Sequence, residues 1–359
     1  MSPSSSGRIP QPQAEDFIIG PDDPILVTGA SGFIGSRVVQ CLVQRGFRNV
    51  RCFTRSMGSL TALWDSGKTV HAVRGNLLSR ENCMEATENV SLVFHLAAGR
   101  GEKFFPDAYM NSVVTTRNLL DACLRQSSLK RFVNVSSFAT YSNPHWAGRK
   151  VLDETCPLEA HPELRGEAYC FAKARQDAMV TEYGKKYGIP YVIVRPGVVY
   201  GPGNLAITGR VGIDTFGIFL HMGGSNLIPF TYVDNCAEAI ALAGLQKGID
   251  GEVFNVVDDD LPSSRQFLRL YKRNVRRFRS IYVPHFLSYG FCYLWERYST
   301  WSEGQLPPVF NCRRWCAYWK GAHYSNQKLK TRLGWVPRIS TREGFRRYFE
   351  ACRAAETNA

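Results

Sequence analysis

A glycine-rich segment near the amino terminus constrains the fold of this chain more than any other feature. Residues 25–35 read ILVTGASGFIG, so an apolar run ends in Gly29, Gly32 and Gly35, and a helical pattern follows at once. One glycine allows a tight turn out of a strand, a second lets the backbone approach a phosphate, and a third lets helix and strand pack closely. The segment therefore predicts a nucleotide pyrophosphate site at a helix N-terminus.

The order of apolar runs and amphipathic segments after this motif predicts a parallel sheet. We predict strands over residues 24–29, 50–55, 70–73, 91–97, 131–136 and 191–195, and helices over residues 33–45, 78–86, 107–126 and 168–187. Elements that alternate in this way form βαβ units, with helices on both faces of the sheet. The prediction is an α/β fold with a Rossmann-type, doubly wound parallel sheet over residues 21–200.

The pattern changes on both sides of this region. Residues 201–224 are rich in glycine and predict a loop, and the rest of residues 201–359 predicts a smaller C-terminal α/β lobe, interleaved with the Rossmann domain. Ligands of such folds bind at the carboxyl ends of the strands, so we expect this lobe to cover the substrate. Residues 1–20 are polar and lack the apolar core of a signal peptide, which predicts a disordered leader.

Composition excludes several classes of protein. The 359 residues carry a net charge of +13 and include 11 cysteines, without a CxxC pair. We expect buried thiols in a reducing cytoplasm and no metal site. The sequence contains no nucleic-acid-binding motif, and no uncharged run is long enough to span a bilayer. The predicted location is the cytoplasm.

The end of the second predicted strand favours NADP(H) as the cofactor. The strand ends in RCFTRS, so Arg55 lies twenty residues after Gly35 and Ser56 adds a hydroxyl donor. In a Rossmann unit a carboxylate at this place binds the free ribose 2′-hydroxyl of NAD, whereas an arginine pairs with the 2′-phosphate of NADP. The alternative is NAD(H), with Arg55 as a solvated loop residue.

Tyr169 and Lys173 are candidate catalytic residues, because their spacing places them on one face of a helix. An ammonium close to a tyrosine favours the phenolate, which can then exchange a proton with an alcohol or carbonyl oxygen. Ser137 follows the strand predicted over residues 131–136 and is placed to hold a substrate oxygen, and Asn111 lies in the long predicted helix. The alternatives are that Ser137 caps a turn and that Asn111 is a surface residue.

Together these motifs resemble the extended short-chain dehydrogenases/reductases, the NAD-dependent epimerase/dehydratase family. TGASGFIG, HLAA at 95–98, a serine pair before AxY, YxxxK and RPGVVYGPG at 195–203 follow the order found in that family, and the resemblance spans about residues 24–350. It implies that Tyr169 is the general acid/base and that Lys173 binds the nicotinamide ribose. Ser137 would orient the substrate oxygen and Asn111 would hold a proton-relay water.

The resemblance also implies cofactor contacts and a homodimer, formed through the helices that carry Asn111 and Tyr169. Asn76 departs from the family, which usually has an aspartate in the turn that contacts adenine. The predicted cofactor contacts are Gly29, Ser31, Gly32, Phe33, Ile34, Gly35, Arg55, Ser56, Asn76, Leu77, Leu96, Ala97, Ala98, Tyr169, Lys173, Pro196, Gly197 and Val199.

The reaction favoured by these motifs is the interconversion of a ketone and a secondary alcohol. Dehydratases of the family carry an acidic pair after the catalytic hydroxyl residue, and here Phe138 and Ala139 follow Ser137. Residues 229–243 resemble 3β-hydroxysteroid dehydrogenase-like members, and the glycine motif together with Arg55 resembles dihydroflavonol-reductase-like members. The alternatives are a nucleotide-sugar 4-epimerase or 4-keto reductase, and a non-catalytic NADPH-binding sensor.

One segment has no place in this chemistry. Residues 282–301 read YVPHFLSYGFCYLWERYSTW and follow a basic cluster, which comprises Lys272, Arg273, Arg276, Arg277 and Arg279. The interpretation favoured by the sequence is a buried lid helix that lines an apolar pocket. The alternative is a peripheral membrane contact through residues 272–301, with the rings in the lipid and the cations at the headgroups.

Overall fold

The computed structural model of the chain describes residues 17–56, 69–99, 104–142, 151–303, 305–306 and 310–357. Its strands are Ile25–Thr28 (β1), Val50–Thr54 (β2), Val70–Arg74 (β3), Leu92–His95 (β4), Arg131–Val135 (β5), Val151–Leu152 (β6), Tyr191–Pro196 (β7), Val198–Tyr200 (β8), Gly212–Thr215 (β9), Ile218–His221 (β10), Phe230–Tyr232 (β11), Val253–Val256 (β12), Ser280–Tyr282 (β13) and His323–Tyr324 (β14).

The helices alternate with the strands in the first half and dominate the last third. They are Gly35–Gln44 (α1), Arg80–Thr87 (α2), Phe105–Ala108 (α3), Thr115–Cys123 (α4), Ala168–Tyr187 (α5), Val233–Leu245 (α6), Ser264–Asn274 (α7), His285–Trp301 (α8), Cys312–Trp319 (α9), Gln327–Leu333 (α10) and Thr341–Thr357 (α11). A π-helical segment, Tyr109–Val114, joins α3 to α4, so the helix predicted over residues 107–126 is continuous but locally widened.

Seven strands form the central sheet in the order β12-β7-β5-β4-β1-β2-β3. Every neighbouring pair of this sheet is parallel, and β1 pairs with both β2 and β4. The chain therefore builds outward from β1 in one direction and then in the other, which confirms the predicted doubly wound fold. The strand order reverses between β1 and β4, and such a switch point opens a crevice at the carboxyl ends of the strands.

The core has a layer on each face of this sheet. Ile25 and Val27 of β1 pack in one layer with α1 and α6, whereas Leu26 packs in the other with α2, α4 and α5. Alternate residues of a strand point to opposite faces, so a strand that is apolar throughout must be covered on both. All four residues of β1 are buried, which explains why the sequence shows an uninterrupted apolar run there.

The region after residue 200 differs from the prediction in one respect. The predicted loop over residues 201–224 contains an antiparallel hairpin of β9 and β10, and β13 extends it to three strands. Phe216 and Gly217 form its turn with φ values of 48° and 74°. Two consecutive residues with positive φ match the twist of a two-residue hairpin loop. The strands on either side are short and lie among many glycines, so the sequence pattern predicted a loop instead.

The predicted leader comprises residues 1–20, of which residues 1–16 lie outside the described part of the chain. Phe17 and Ile19 are buried, and the Ile18 N–H donates a hydrogen bond to the Leu245 carbonyl at 2.8 Å. Residues 17–20 therefore belong to the folded part of the chain, because their apolar side chains pack at the end of α6.

The sequence also predicts buried free thiols, no metal site and no membrane span. All eleven cysteines are free thiols, and eight of them are buried. In the described ranges no group of three or more His, Cys, Asp or Glu side chains is arranged to hold a metal ion. None of the helices described here is long and apolar enough to cross a membrane.

Helix α8 corrects the favoured interpretation of residues 282–301. The buried residues of α8 are Ser288, Cys292 and Ser299, whereas most of its large aromatic and aliphatic side chains are exposed. A lid that lines an apolar pocket would bury those side chains. The helix therefore is not the buried lid that the sequence favoured.

Candidate active site

The glycine loop between β1 and α1 lies at the carboxyl edge of the sheet, and two of its positions accept only glycine. Gly29 has a φ of +69°, and a Cβ there would stand 2.9 Å from the Ala97 backbone nitrogen. A Cβ on Gly35 would stand 2.0 Å from the Gly29 carbonyl oxygen. Side chains at these positions would push the loop away from α1 and from the segment after β4, so the glycines set the close approach that a dinucleotide requires.

The N-terminus of α1 fits an anion. In the part of the chain that the structure describes, no side chain caps this helix and its first turn contains no acidic residue. Backbone N–H groups at such an end, together with the helix dipole, attract a phosphate. Ser31 and Gly32 are exposed, Ile34 is half-buried, and the half-buried Phe33 ring lies beside Gly203. The loop therefore fits the pyrophosphate of a dinucleotide.

The adjacent ends of β2 and β3 present two basic residues, Arg55 and Arg74. Arg55 and Ser56 are exposed, and the Ser56 N–H donates to the Thr54 hydroxyl oxygen at 3.2 Å. Thr54 is in register with Arg74 at the end of β3. Arg74 therefore lies beside the strand position that precedes Arg55. Arg74 was not among the predicted site residues, although its place near the end of the next predicted strand was the available signal.

Asn76 forms the turn after β3 in spite of its departure from the family. Its side-chain oxygen accepts a hydrogen bond from the Leu78 N–H at 3.0 Å, a bond that an aspartate would accept equally. The Asn118 side chain on α4 donates to the Leu77 carbonyl at 2.9 Å and fixes this turn from the other side. Asn118 is a second supporting residue that the sequence analysis did not identify.

The segments after β4 and β7 complete the predicted cofactor edge. The Ala97 N–H donates to the Thr28 hydroxyl at 3.3 Å, which holds this segment against β1. A Cβ on Gly197 would stand 2.2 Å from the Pro229 carbonyl oxygen, so glycine is required where β7 passes into β8. The other predicted contacts here are at the same edge of the sheet: Leu96, Ala98, Pro196 and Val199.

His95 connects three elements beneath the site. Its Nδ1 is 2.8 Å from the Thr28 hydroxyl and its Nε2 is 2.9 Å from the Thr116 hydroxyl. Burial, together with a smaller effect of the Lys173 charge, lowers the pKa of His95 to about 3. The ring is therefore neutral at physiological pH, and it fixes β1, β4 and α4 to one another without exchanging protons.

Tyr169 and Lys173 lie on one face of α5 in contrasting environments. Tyr169 is 37% exposed, whereas Lys173 is 4% exposed and its ammonium donates to the Val135 carbonyl at 2.8 Å. Desolvation lowers the pKa of Lys173 to about 8, against an opposing attraction from Asp177. A buried cation thus lies one helical turn from a tyrosine that a ligand can reach.

Ser137 is held next to the start of α5. It follows β5 and caps the 3₁₀ turn Phe138–Thr140, and its hydroxyl accepts a hydrogen bond from the Ala139 N–H at 3.2 Å. The Cys170 thiol donates to the Ala139 carbonyl at 2.9 Å. Because Cys170 directly follows Tyr169, these bonds bring the backbone of Ser137 and Tyr169 into one region. Ser137 therefore caps a turn, which was the alternative to a role at the site. Its hydroxyl proton can still be donated to a ligand.

Asn111 is half-buried in the π-helical segment Tyr109–Val114, which packs against α5. The Gln176 side chain on α5 donates to the Thr116 hydroxyl at 2.6 Å and to the Ser112 carbonyl at 3.2 Å. π-Helical segments inside longer helices are frequent at functional sites. The segment places Asn111 on the helix adjacent to the one that carries Tyr169.

A buried ion pair supports Lys173 from below. Asp177 accepts hydrogen bonds from the Asn134 amide at 2.9 Å and from the Arg195 guanidinium at 3.0 Å. Burial raises the pKa of Asp177, and Arg195 opposes that change. The guanidinium also lies 4.9 Å from the centre of the Tyr141 ring. The position of Asp177, four residues after Lys173, was the signal in the sequence that could have identified this support.

A small pocket opens at Phe138, the residue after Ser137, between the sheet edge and the C-terminal lobe. Phe138 and Tyr324 stack with ring centres 5.8 Å apart, and α9 is tied to the start of α5 by a 2.8 Å hydrogen bond from the Tyr318 hydroxyl to Glu167. The lobe therefore covers the catalytic edge. The residues lining the pocket combine apolar surface with two cations: Phe138, Leu152, Arg210, Cys316, Ala317, Lys320 and Tyr324.

Comparison with curated proteins gives relatives of two kinds. A trifunctional UDP-glucose 4,6-dehydratase/UDP-4-keto-6-deoxy-D-glucose 3,5-epimerase/UDP-4-keto-L-rhamnose-reductase of Arabidopsis thaliana is 28% identical over 65% of this chain. This chain spans only 36% of that relative's length. A 3beta-hydroxysteroid-dehydrogenase/decarboxylase (isoform 1) of Arabidopsis thaliana is 25% identical, over 91% of this chain and 79% of its own.

Comparison with solved structures supports the fold. The UDP-glucuronic acid 4-epimerase of Bacillus cereus, in complex with UDP-glucuronic acid and NAD, superposes with a TM-score of 0.70. The alignment covers 92% of this chain and 99% of that one, at 21% sequence identity. The likeness extends through the C-terminal lobe.

A family model, described as the NAD dependent epimerase/dehydratase family, matches residues 25–256. The matched span begins at the first residue of β1 and ends at the last residue of β12, so it contains the whole seven-stranded sheet with Tyr169, Lys173 and Ser137. This confirms the resemblance on which the site was predicted. The chain belongs to the NAD-dependent epimerase/dehydratase family.

Proposed function

We propose that the protein is an NAD(P)-dependent oxidoreductase that interconverts a ketone and a secondary alcohol. The observation that carries this proposal is the pairing on α5 of an accessible Tyr169 with a buried Lys173, beside Ser137. A non-catalytic NADPH-binding sensor needs neither side chain, so the presence of both favours an enzyme.

The chemistry divides between the cofactor and the side chains. A nicotinamide cofactor bound at the glycine loop would supply or accept the hydride. During reduction Tyr169 donates its phenolic proton to the carbonyl oxygen, and during oxidation it takes the proton from the alcohol. Ser137 donates a hydrogen bond to the same oxygen, and Asn111 holds a water through which the proton is replaced.

Lys173 assists this proton transfer in two ways. Its positive charge stabilises the phenolate that forms when Tyr169 gives up its proton. An ammonium has three N–H donors, and the bond to the Val135 carbonyl uses one of them. The others are available for the nicotinamide ribose, which Lys173 would hold in place.

The proposed cofactor preference is for NADP(H). Arg55 is exposed at the tip of β2, and Arg74 ends the neighbouring strand in register with Thr54. Two guanidinium groups at this place suit a 2′-phosphate, because an arginine binds phosphate with paired hydrogen bonds. NAD(H) is the alternative, and it accords with the family's description.

The proposed substrate is a ketone or alcohol with an apolar or mixed body, bound in the pocket beside Ser137. Rings of Phe138 and Tyr324 form one part of its lining. A second candidate function, nucleotide-sugar 4-epimerisation or 4-keto reduction, is favoured by Arg210 and Lys320 in the same lining. Two cations in this lining would hold the diphosphate of such a substrate.

A screen that follows NADPH absorbance distinguishes these functions. The purified chain is incubated with NADPH and a panel of ketones, and separately with NAD⁺ or NADP⁺ and a panel of UDP-sugars, which are then analysed for isomers. Net NADPH consumption with a ketone supports the oxidoreductase, and isomerisation without net consumption supports the epimerase. Turnover of neither panel, with NADPH bound, would contradict both and favour the sensor.

We further propose a homodimer through the helices that carry Asn111 and Tyr169. Phe104, which directly precedes α3, and Met110, in the π-helical segment, are exposed and offer apolar surface for such a contact. Sedimentation at micromolar concentration should show a dimer, and a monomer alone would refute this assembly. The eleven free thiols suit a reducing compartment, for which we propose the cytoplasm.

A further inference from the structure

Helix α8 buries small side chains and exposes large ones, which is the reverse of an ordinary surface helix. The buried side chains of α8 are Ser288, Cys292 and Ser299. Larger rings, those of Tyr289 and Phe291 among them, contact Trp315 and Phe310 only at the edge of this face. The Trp315 indole of α9 donates to the Ser288 hydroxyl at 2.9 Å, so this face is already fixed against the lobe. In a helix that packs on a core, the large apolar residues occupy the inner face.

The exposed face forms a continuous apolar stripe. Leu287, Phe291, Leu294, Tyr298 and Trp301 recur at steps of four and three residues, so they share one side of the helix. All five are exposed, with Leu294 at 68% and Trp301 at 77%. We call these five residues the outward stripe. None of them is charged, and contiguous exposed apolar surface of this kind marks an interaction site.

Cations lie on the segment that precedes α8 in the chain and on α8 itself. The basic cluster of Lys272, Arg273, Arg276, Arg277 and Arg279 extends from the end of α7 to β13, which leads directly into α8. The Arg265 guanidinium lies 5.5 Å from the ring centre of Tyr282. On α8 itself, Arg297 lies 5.5 Å from the ring centre of Tyr293. Exposed rings with cations beside them match the boundary between acyl chains and headgroups.

We propose that the outward stripe and the basic cluster form a docking face for an anionic phospholipid surface. Helix α8 lies in the plane of the interface, with the stripe among the acyl chains and the cations at the headgroups. A second copy of this chain suits the face less well. A two-fold contact through the stripe supplies no anions for the basic cluster, whereas an anionic lipid surface does. The proposal is independent of the reaction catalysed at Tyr169.

Vesicle flotation tests this face with a double variant and a matched control. The purified chain is mixed with vesicles of phosphatidylcholine alone, or of phosphatidylcholine with an equimolar amount of phosphatidylserine. The test variant is Leu294→Ser with Trp301→Ser. The control variant is Leu158→Ser with Val336→Ser, which removes two exposed apolar side chains that lie outside α8 and outside the helices of the proposed dimer. Thermal unfolding and NADPH binding show that each protein is folded.

The wild type and the control should float with the phosphatidylserine vesicles and should be released by high salt, which screens the cations. The test variant should bind those vesicles roughly tenfold less or weaker still, because two large side chains no longer enter the lipid. The proposal would be overturned if the wild type floated with neither type of vesicle. It would also be overturned if the wild type and the test variant floated equally. A salt-resistant dimer that only the test variant dissociates, without lipid binding, would assign the stripe to a second copy instead.

Discussion

Replacing Lys173 with methionine should make the apoprotein more stable while it abolishes turnover. The lysine is buried, and its pKa is lowered from 10.5 to about 8. One pH unit corresponds to about 1.4 kcal/mol, so the protonated ammonium destabilises the fold by about 3 kcal/mol at neutral pH. Methionine has a similar length and no charge. It loses the hydrogen bond to the Val135 carbonyl, which costs about 1 kcal/mol, so the expected net gain is about 2 kcal/mol.

The pH dependence of this gain follows from the direction of the shift. Below about pH 8 both native and unfolded Lys173 are protonated, and the penalty is fully present. Between about pH 8 and 10.5 the native state has released the proton that the unfolded state still binds, so the wild type becomes more stable as the pH rises. The difference in unfolding free energy between variant and wild type should therefore narrow across this window.

Urea unfolding of both proteins at a series of pH values measures this difference. Lys186→Met is the matched control, since Lys186 is exposed on the same helix and its replacement should produce little change in stability. A Lys173→Met variant that is less stable than wild type at pH 7, with a difference that does not vary with pH, would refute the account of Lys173 as a buried cation.

Two further predictions concern the cofactor loop. Arg55→Ala should weaken NADPH binding about tenfold or more and leave NADH binding nearly unchanged, since a charged hydrogen bond to the 2′-phosphate contributes about 1.5–3 kcal/mol. Arg51→Ala on the same strand is the control, and an unchanged NADPH/NADH ratio in isothermal titration would count against NADP(H). Gly35→Ala should lose about 1–3 kcal/mol of stability, as well as cofactor binding, because its Cβ would collide with the Gly29 carbonyl. Gly290→Ala, where the added Cβ meets open space, should instead be neutral or slightly stabilising, and equal melting temperatures of the two variants would contradict the packing argument.

The sheet and its cofactor loop were predictable because their signals are local. Inner strands such as β1 and β4 are buried on both faces and appear as apolar runs, and two glycines of the loop stand at positions where a Cβ collides with backbone. Short-range patterns of this kind survive in a single sequence. Lys173 also follows from its spacing to Tyr169, although the depth of its burial does not.

The remaining features depend on contacts between distant segments. Arg74 lies beside Thr54 only because β3 pairs with β2 in that register, and Asp177 meets Arg195 only because α5 packs on β7. The prediction that residues 282–301 form a buried lid helix was wrong for a similar reason. Its aromatic content suggested burial, whereas the face that packs on α9 is the one with the small side chains.

The catalytic role of Tyr169 is tested most directly by Tyr169→Phe, assayed for NADPH oxidation with a carbonyl substrate identified in the screen. The change removes one hydroxyl, so NADPH affinity and unfolding free energy should stay close to those of the wild type. Turnover should fall about a hundredfold to ten-thousandfold, as expected when a general acid is lost. Turnover near the wild-type value in a folded, NADPH-binding Tyr169→Phe protein would contradict the proposed mechanism.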